Sequence, residues 1–309
     1  MKLSVVINTK NAEKTIEAAL KSVSFADEII IVDMKSDDST VEIATKYTDK
    51  IFAHKDVGYV EPARNFAIKK ASGDWILILD ADEEVPQELE KAIKGILKSS
   101  DSGEETADCY YIPRLNYIFN KAFEKTGWWP DYVLRLFKKG FVSWSDEIHS
   151  IPITKGEVRE LPAVTGIALI HHNYQHVNQY IDRLNRYTSI QSEELVTELE
   201  KEQTEVDGSC ITKKFYSEFL SRFFAQRGVN DGTHGLALSL LQGFSEAVVA
   251  IKSWEKSGFP ESDKQQEEAT VSELAQFNRE LAYWIANWHV ENTSGIRQLI
   301  WKIRRKLYI

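Results

Sequence analysis

Two aspartates stand close together directly after an apolar segment of this chain. Residues 75–79 read WILIL, and Asp80 and Asp82 follow with only Ala81 between them. Carboxylate oxygens are hard ligands that suit Mg²⁺ or Mn²⁺, and such a cation is often held by one or two carboxylates together with substrate phosphates. A cation there would neutralise charge on a departing diphosphate. The alternative interpretation is a solvated loop in which one aspartate caps the following element.

A strand has to position these carboxylates, and the first hundred residues predict several strands. Short apolar runs at 3–7, 29–32, 51–53 and 75–79 are typical of strands that are buried on both faces. Segments with the helical spacing of apolar residues separate these runs. Such an alternation of strand and helix predicts an α/β fold with a mostly parallel, Rossmann-like sheet and right-handed crossovers.

Polar residues follow three of the predicted strands. Asn8 and Thr9 come after the first, Asp33 ends the second, and Asp80 and Asp82 end the fourth. Open α/β sheets bind ligands at the carboxyl edge of their strands, so this edge is the predicted binding site. The chain has no GxGxxG or GxxxxGK[ST] loop, which removes the main support for a dinucleotide-binding or P-loop protein.

The sequence pattern changes at about residue 108, where short segments rich in aromatic residues predict further strands. These segments are 109–112, 117–119, 133–137 and 141–144. They are expected to complete the sheet and to form one wall of a pocket. Beyond about residue 176 the apolar residues recur with helical spacing. We therefore predict a catalytic domain over 1–175 and a helical region on the acceptor side over 176–309.

Composition and charge narrow the functional class. The net charge of −9 argues against nucleic-acid binding, which requires a basic footprint. Cys109 and Cys210 show neither CxxC nor zinc spacing and are interpreted as free thiols in a reducing compartment. The first apolar run is too short for a signal peptide, and no uninterrupted apolar run has the length of a membrane span. We therefore expect a cytoplasmic protein.

The segment 296–309 differs from the rest of this acidic chain. It contains five basic residues and no acidic ones. Its apolar residues recur with helical spacing at Ile296, Leu299, Ile300, Ile303 and Leu307. This combination fits an interfacial helix on an anionic membrane, where a lipid-linked acceptor would be presented. The alternative is a terminal helix that packs on its own domain and leaves its arginines in solvent.

Three segments carry a resemblance to a known family. They are VVINTKNAEKTIEAALKSV, DEIIIVDMKSDDSTVEIA and EPARNFAIKKASGDWILILDADEEV, and they cover most of residues 3–85. In order and spacing they resemble inverting glycosyltransferase family 2, whose members have the GT-A fold. Similarity to the lipopolysaccharide-core, β-glucosyltransferase-like branch continues through WWPDYVLRLFKKG, DEIHS and RFFAQRGVNDGTHGLALSLLQGF. The family usually has VDxGSxDGT where this chain has VDMKSDDST, without the glycines.

The resemblance implies a role for each matching residue. Thr9 and Asp33 would contact the nucleotide base, and Asp33 would accept a hydrogen bond from a uracil-like imide. Arg64 would reach the base or its phosphates, and its alternative is an ion pair on the helix surface. Asp80 would lie near the ribose or the metal, and Asp82 would ligate the metal that binds the diphosphate.

Inverting transfer also requires a carboxylate that takes the proton from the acceptor hydroxyl. Asp131 is the first candidate for this base and Glu147 the second, because the family's usual Glu-Asp pair before Arg135 is absent. Asp131 can instead pair with Arg135, four residues on. His149 falls where many GT-A enzymes place a histidine near the metal, and its alternative is a hydrogen-bonded core residue.

Further histidine and tryptophan side chains are given less specific roles. His171 and His172 follow an apolar strand without ligand spacing and are interpreted as structural or acceptor-side residues. Trp128, Trp129 and Trp144 are candidates for a platform under a sugar ring, with core packing as the competing explanation.

The expected reaction is transfer of a hexose, or alternatively a heptose, to a hydroxyl group of a glycan or lipid-linked acceptor in cell-surface glycan or lipopolysaccharide biosynthesis. A UDP-glucose-like nucleotide-sugar is the first candidate for the donor. Two other functions remain open. A nucleotidyltransferase of the sugar-phosphate type should have a glycine-rich basic loop soon after the first strand, and residues 8–11 (NTKN) are not such a loop. A non-catalytic glycosyltransferase-like binding protein would share the fold without the reaction.

Overall fold

The computed structural model describes the chain in four ranges, which are 1–56, 61–145, 151–202 and 204–307. The first four strands are β1 (Leu3–Thr9), β2 (Glu28–Asp33), β3 (Ile51–Ala53) and β4 (Trp75–Asp80). They are parallel and lie in the order β3-β2-β1-β4. All seven residues of β1 are buried, as expected for a strand covered on both faces. The four strands predicted from apolar runs are therefore confirmed.

Four helices accompany these strands. They are α1 (Ile16–Ser22), α2 (Thr40–Ala44), α3 (Glu61–Lys70) and α4 (Gln87–Asp101). Successive side chains of β1 point into two different cores, because side chains alternate along a strand. Val5 and Ile7 pack with Leu20 of α1, whereas Val6 packs with Ala67 of α3. The sheet therefore lies between two helical layers.

Further strands follow β4 along the chain, and most of them extend this sheet. Within the described ranges they are β5 (Glu83–Glu84), β6 (Cys109–Ile118), β7 (Lys121–Ala122), β8 (Asp131–Lys138), β9 (Val142–Ser143), β10 (Ile153–Thr154), β11 (Val158–Glu160) and β12 (Leu169–Tyr174). The main path is β3-β2-β1-β4-β8-β6-β12-β5, while β7 and β11 pair with β6, and β9 pairs with β10. The segments predicted as two strands at 109–112 and 117–119 form one strand, β6, because pairing with β8 and then β7 continues along it.

The chain divides into two compact units. The first contains residues 1–122 and 128–173, and the second contains 123–127 and 174–309. The segment 123–127, which the sequence-based division at residue 175 assigns to the first part, thus belongs to the second unit. Thr126 holds it there, since its backbone N–H donates to the carbonyl oxygen of Gln226 at 3.0 Å and its hydroxyl donates to Asp231 at 3.1 Å.

The second unit is helical. Its helices in the described ranges are α5 (Val177–Glu202), α6 (Gly208–Leu220), α7 (Gly232–Lys256), α8 (Lys264–Asn292) and α9 (Gly295–Leu307). Aromatic side chains of α6 and α8 form part of its core. The rings of Tyr216 and Phe277 stack with centroids 5.2 Å apart, and Phe215 meets Phe277 edge-on at 6.4 Å.

One stretch, Gly228–Lys256, is long and apolar enough to cross a membrane when only its length and composition are considered. This stretch contains α7. Gly243 of α7 lies so close to α6 that an added Cβ would come within 2.8 Å of the Phe215 carbonyl oxygen. The lack of a Cβ at Gly243 therefore permits α6 and α7 to pack closely within the second unit.

Candidate functional site

The polar residues at the carboxyl ends of β1, β2 and β4 are neighbours in the sheet. Thr9 is in register with Asp33, and Asn8 is in register with Asp80. Parallel pairing fixes this arrangement, because it brings the carboxyl ends of all three strands to the same edge. The structure thus brings together the residues that the sequence predicted for this edge.

The loop after β2 supplies the turn that the missing glycine would otherwise make. Lys35 stands at the glycine position of the family pattern and has a φ of 64°, in the left-handed region that favours glycine. Asp33 stabilises this turn by accepting hydrogen bonds from the backbone N–H of Ser36 at 3.1 Å and from its hydroxyl at 2.6 Å. The turn is therefore retained without the glycine.

Asp80 is held by two arginines. Nη2 of Arg135 donates to Oδ2 of Asp80, and Nη2 of Arg64 lies 3.3 Å from Oδ1. Burial opposes ionisation of Asp80. The guanidinium groups of Arg135, Arg64 and Arg114 outweigh this effect and hold the pKa of Asp80 well below its ordinary value. Arg64 therefore belongs to the site through this ion pair.

Glu83 is a site residue that the sequence reasoning did not identify. Its side chain is completely buried and accepts hydrogen bonds from Arg135 at 2.7 Å and from Arg114 at 3.1 Å. Its second oxygen accepts the backbone N–H of Asp80 at 3.0 Å. A buried carboxylate requires such partners. Arg135 comes from β8, which is beside β4, and Arg114 comes from β6, which is the next strand after β8. No local pattern around Glu83 indicates these distant partners.

Asp131 pairs with Arg114 and not with Arg135. Arg114 and Asp131 are register partners on β6 and β8, and two guanidinium nitrogens lie 2.8 and 2.7 Å from Oδ2 of Asp131. Asn116 also donates to Oδ2 at 2.8 Å. The predicted pairing with Arg135 is wrong because residues four apart on a strand are separated by roughly 13 Å along it, whereas they are neighbours on a helix.

Asp82 lies beside His171. Its Oδ2 is 3.6 Å from Nε2 of His171, which is on β12, in register with Glu83. Nδ1 of His171 is 2.6 Å from the amide oxygen of Asn116. An amide oxygen only accepts, so this contact places a proton on Nδ1 of His171 and leaves Nε2 facing Asp82.

These contacts form one continuous polar network within the first unit. The sequence of partners is Asp82, His171, Asn116, Asp131, Arg114, Glu83, Arg135 and Asp80. Four elements, β5, β6, β8 and β12, contribute side chains to it in addition to the end of β4. The network therefore links the predicted metal ligand Asp82 to the predicted base Asp131.

Several buried polar atoms at this edge have no partner among the described residues. They are both amide atoms of Asn8, Oγ1 of Thr9, Nε of Arg64 and Nε of Arg135, while the orphaned Nε1 of Trp75 lies at the opposite end of β4. Buried polar groups are nearly always hydrogen-bonded, so a cluster of orphaned donors and acceptors is the expected signature of a site for a polar ligand.

Asp82 and His171 lie close enough together to contact one divalent cation. The predicted residues Glu147 and His149 lie outside the described residues. Within the described ranges, no group of three or more His, Cys, Asp or Glu residues has the arrangement of a complete metal site. Asp82 with His171 nevertheless supplies one carboxylate oxygen and one imidazole nitrogen, a pair that suits Mn²⁺ and leaves further positions for phosphate oxygens.

The sheet order and the polar carboxyl edge are those of a GT-A type glycosyltransferase. Residues 4–124 match the family described as Glycosyl transferase family 2. An uncharacterized glycosyltransferase of Rickettsia typhi is 30% identical over 83% of this chain and 88% of its own length. The chain therefore belongs to glycosyltransferase family 2.

One further relative agrees with the predicted branch. The lipopolysaccharide core biosynthesis glycosyltransferase LpsC of Rhizobium meliloti is 26% identical over 63% of this chain and 72% of its own length. Among solved structures, Staphylococcus aureus TarS 1-349 in complex with UDP-GlcNAc aligns with the whole chain and 89% of its own, at 15% identity and a TM-score of 0.41. The resemblance to family 2 stated from the sequence is confirmed.

Proposed function

We propose that this glycosyltransferase transfers a hexose with inversion from a uridine-diphosphate sugar, with UDP-glucose as the first candidate, to a hydroxyl group of a glycan or lipid-linked acceptor. The similarity to LpsC supports an acceptor in lipopolysaccharide or another cell-surface glycan. Both cysteines are free thiols, which supports the reducing cytoplasm as the compartment.

The polar network from Asp82 to Asp80 is the observation that carries this proposal. An inverting transfer needs a group that binds the departing diphosphate and a carboxylate that receives the acceptor's proton. Asp82 and Asp131 fill these two roles and are connected through His171 and Asn116.

The nucleoside part of the donor would bind where β1 and β2 end. Asn8 and Thr9 offer amide and hydroxyl atoms that have no partner among the described residues, and Asp33 offers a carboxylate that is fixed by Ser36. Arg64, which is bound to Asp80 at the end of β4, is the cation that would meet the phosphates or the base. These residues bind and orient the donor.

Asp82 and His171 are the residues that would hold Mg²⁺ or Mn²⁺. The cation would neutralise the charge that develops on the leaving diphosphate. We assign Asp80 a positioning role instead, because Arg135 and Arg64 already occupy its two oxygens. His149, predicted as a further ligand, and Glu147 remain predictions.

Asp131 is the proposed general base. Arg114 and Asn116 both donate to its Oδ2, so these bonds fix the carboxylate while Oδ1 would accept the proton of the attacking hydroxyl. Its side chain is 28% exposed, which gives an acceptor access to it. In the transfer the acceptor oxygen forms the new bond to the anomeric carbon, and the bond from that carbon to the diphosphate breaks.

A donor screen tests the proposal. The full chain is incubated with Mn²⁺ and a panel of nucleotide-sugars, and thermal stabilisation and nucleotide release are measured. We expect a UDP-sugar to stabilise the protein only when the metal is present. Stabilisation by a nucleoside triphosphate with a sugar phosphate, and by no nucleotide-sugar, would instead favour a nucleotidyltransferase and contradict the proposal.

A further inference from the structure

The helix α9 exposes an unusual number of large apolar side chains. Five of them lie between 47% and 79% exposed. They are Ile296, Leu299, Ile300, Ile303 and Leu307. The helix also carries five cations and no acidic residue, in a chain whose net charge is −9. Apolar surface and positive charge are therefore concentrated on the same short element.

The apolar and basic residues of α9 occupy separate arcs around the helix. At about 100° per residue, the five apolar positions fall within an arc of roughly 100°. Arg297 and Arg304 flank this arc on one side, and Lys302 and Lys306 flank it on the other. Long basic side chains in such positions can extend to charged groups while their stems lie along apolar surface.

The opposite side of α9 is held by α8. Trp301 stacks on His289 with ring centroids 4.0 Å apart. The amide of Gln298 donates to the Val290 carbonyl oxygen at 3.0 Å, and Arg305 donates to Asn287 at 2.7 Å. The apolar arc therefore faces away from the supporting helix, on a helix that is already folded and fixed in position.

We propose that α9 lies in the plane of an anionic lipid bilayer, with its apolar arc among the acyl chains and its flanking cations at the headgroups. The charge of the surface identifies this partner, since four flanking cations complement anionic lipids. A second copy of the chain fits less well, because pairing two of these faces would bring like charges together. This inference goes beyond the proposed reaction and does not depend on it.

Vesicle sedimentation tests the proposal. The full chain is mixed with vesicles of phosphatidylcholine with phosphatidylglycerol, and with vesicles of phosphatidylcholine alone. We expect binding to the anionic vesicles that weakens with added salt, and at least tenfold weaker binding to the neutral ones. The double variant Leu299→Ser/Ile303→Ser should lose roughly tenfold in partitioning for each apolar side chain removed.

Matched variants separate the two contributions and control for folding. Lys302→Gln/Lys306→Gln should weaken anionic binding by about fivefold for each cation removed. Leu240→Ser, at an exposed apolar position of α7, should bind as the wild type. All variants should keep the wild-type circular dichroism and thermal transition, because none of these side chains is buried.

Three outcomes would overturn the inference. The first is unchanged vesicle binding by folded Leu299→Ser/Ile303→Ser. The second is equal binding to neutral and anionic vesicles. The third is concentration-dependent dimerisation in light scattering, abolished by the same double variant, with no vesicle binding. The last result would identify a second copy of the chain as the partner.

Discussion

At the scale of single residues, the site depends on which of two adjacent histidines faces Asp82. His171 is 7% exposed and lies 3.6 Å from this carboxylate, whereas Nε2 of His172 binds Glu84 at 2.7 Å. Consecutive side chains on a strand point to opposite faces, so only one of the two histidines can face the Asp82 carboxylate. The same substitution at His171 and at His172 therefore compares a histidine beside Asp82 with one that faces away from it.

We expect Asp82→Asn to abolish measurable Mn²⁺ binding and to lower turnover by about a hundredfold or more, because the variant loses the carboxylate charge that the cation requires. His171→Asn should weaken Mn²⁺ binding by roughly ten- to a hundredfold, and His172→Asn should leave it unchanged. Electron paramagnetic resonance of free Mn²⁺ measures this directly. Equal affinities of the two histidine variants would contradict the assignment.

Glu83 has a structural role that can be separated from binding. Removing its charge leaves two guanidinium groups short of a buried partner. Glu83→Gln should therefore lower the free energy of unfolding by about 3–5 kcal/mol, whereas Glu84→Gln, at a partly exposed position, should cost less than about 1 kcal/mol. Urea unfolding followed by circular dichroism compares the two, and similar losses would refute the role assigned to Glu83.

At the scale of elements, Glu28 links β2 to β1 and to the segments that precede β3 and β4. It starts β2 and accepts hydrogen bonds from Ser4 of β1, from the backbone N–H of Ser72 at 2.8 Å and from Lys50 at 2.6 Å. Burial raises the pKa of this carboxyl group, but the hydrogen bonds from Lys50, Ser4 and Ser72 prevail and lower it to about 2.

This shift predicts a pH-dependent stability. A carboxyl group with a lowered folded-state pKa stabilises the fold fully above its unfolded pKa of about 4.5, and this contribution is lost as the pH falls towards 2. The stability difference between the wild type and Glu28→Gln should therefore narrow steadily below pH 4.5. Unfolding by urea at several pH values measures it, and a constant difference would contradict the proposed linkage.

At the scale of the whole molecule, the proposed donor site and the proposed membrane-binding helix belong to different units. The polar network lies in the first unit, and α9 belongs to the second. We expect Leu299→Ser/Ile303→Ser to keep the thermal stabilisation by UDP and Mn²⁺ and to retain turnover of a water-soluble acceptor within about twofold. Turnover of an acceptor embedded in anionic vesicles should fall by about tenfold or more, in line with lost partitioning. Equal losses with both acceptors would show that the substitutions damage the catalytic unit.

The strands and their polar ends could be predicted because the information is local. An apolar run such as residues 75–79 is buried on both faces wherever the sheet lies, and parallel pairing then aligns Thr9 with Asp33. The pairing of Asp131 with Arg114 could not be predicted. It depends on β6 and β8 being neighbours in register, and nothing near residue 131 specifies that register.

The sequence by itself determined the α/β architecture, the carboxyl edge and the family, because periodicity and motif spacing act over a few residues to a few turns. Only the tertiary structure decided which polar groups meet: Glu83 with two arginines, and Asp82 with His171. Electrostatic and hydrogen-bond partners are set by distance in space. These partners are 31, 52 and 89 residues apart along the chain, and they come within that distance only when the sheet is assembled.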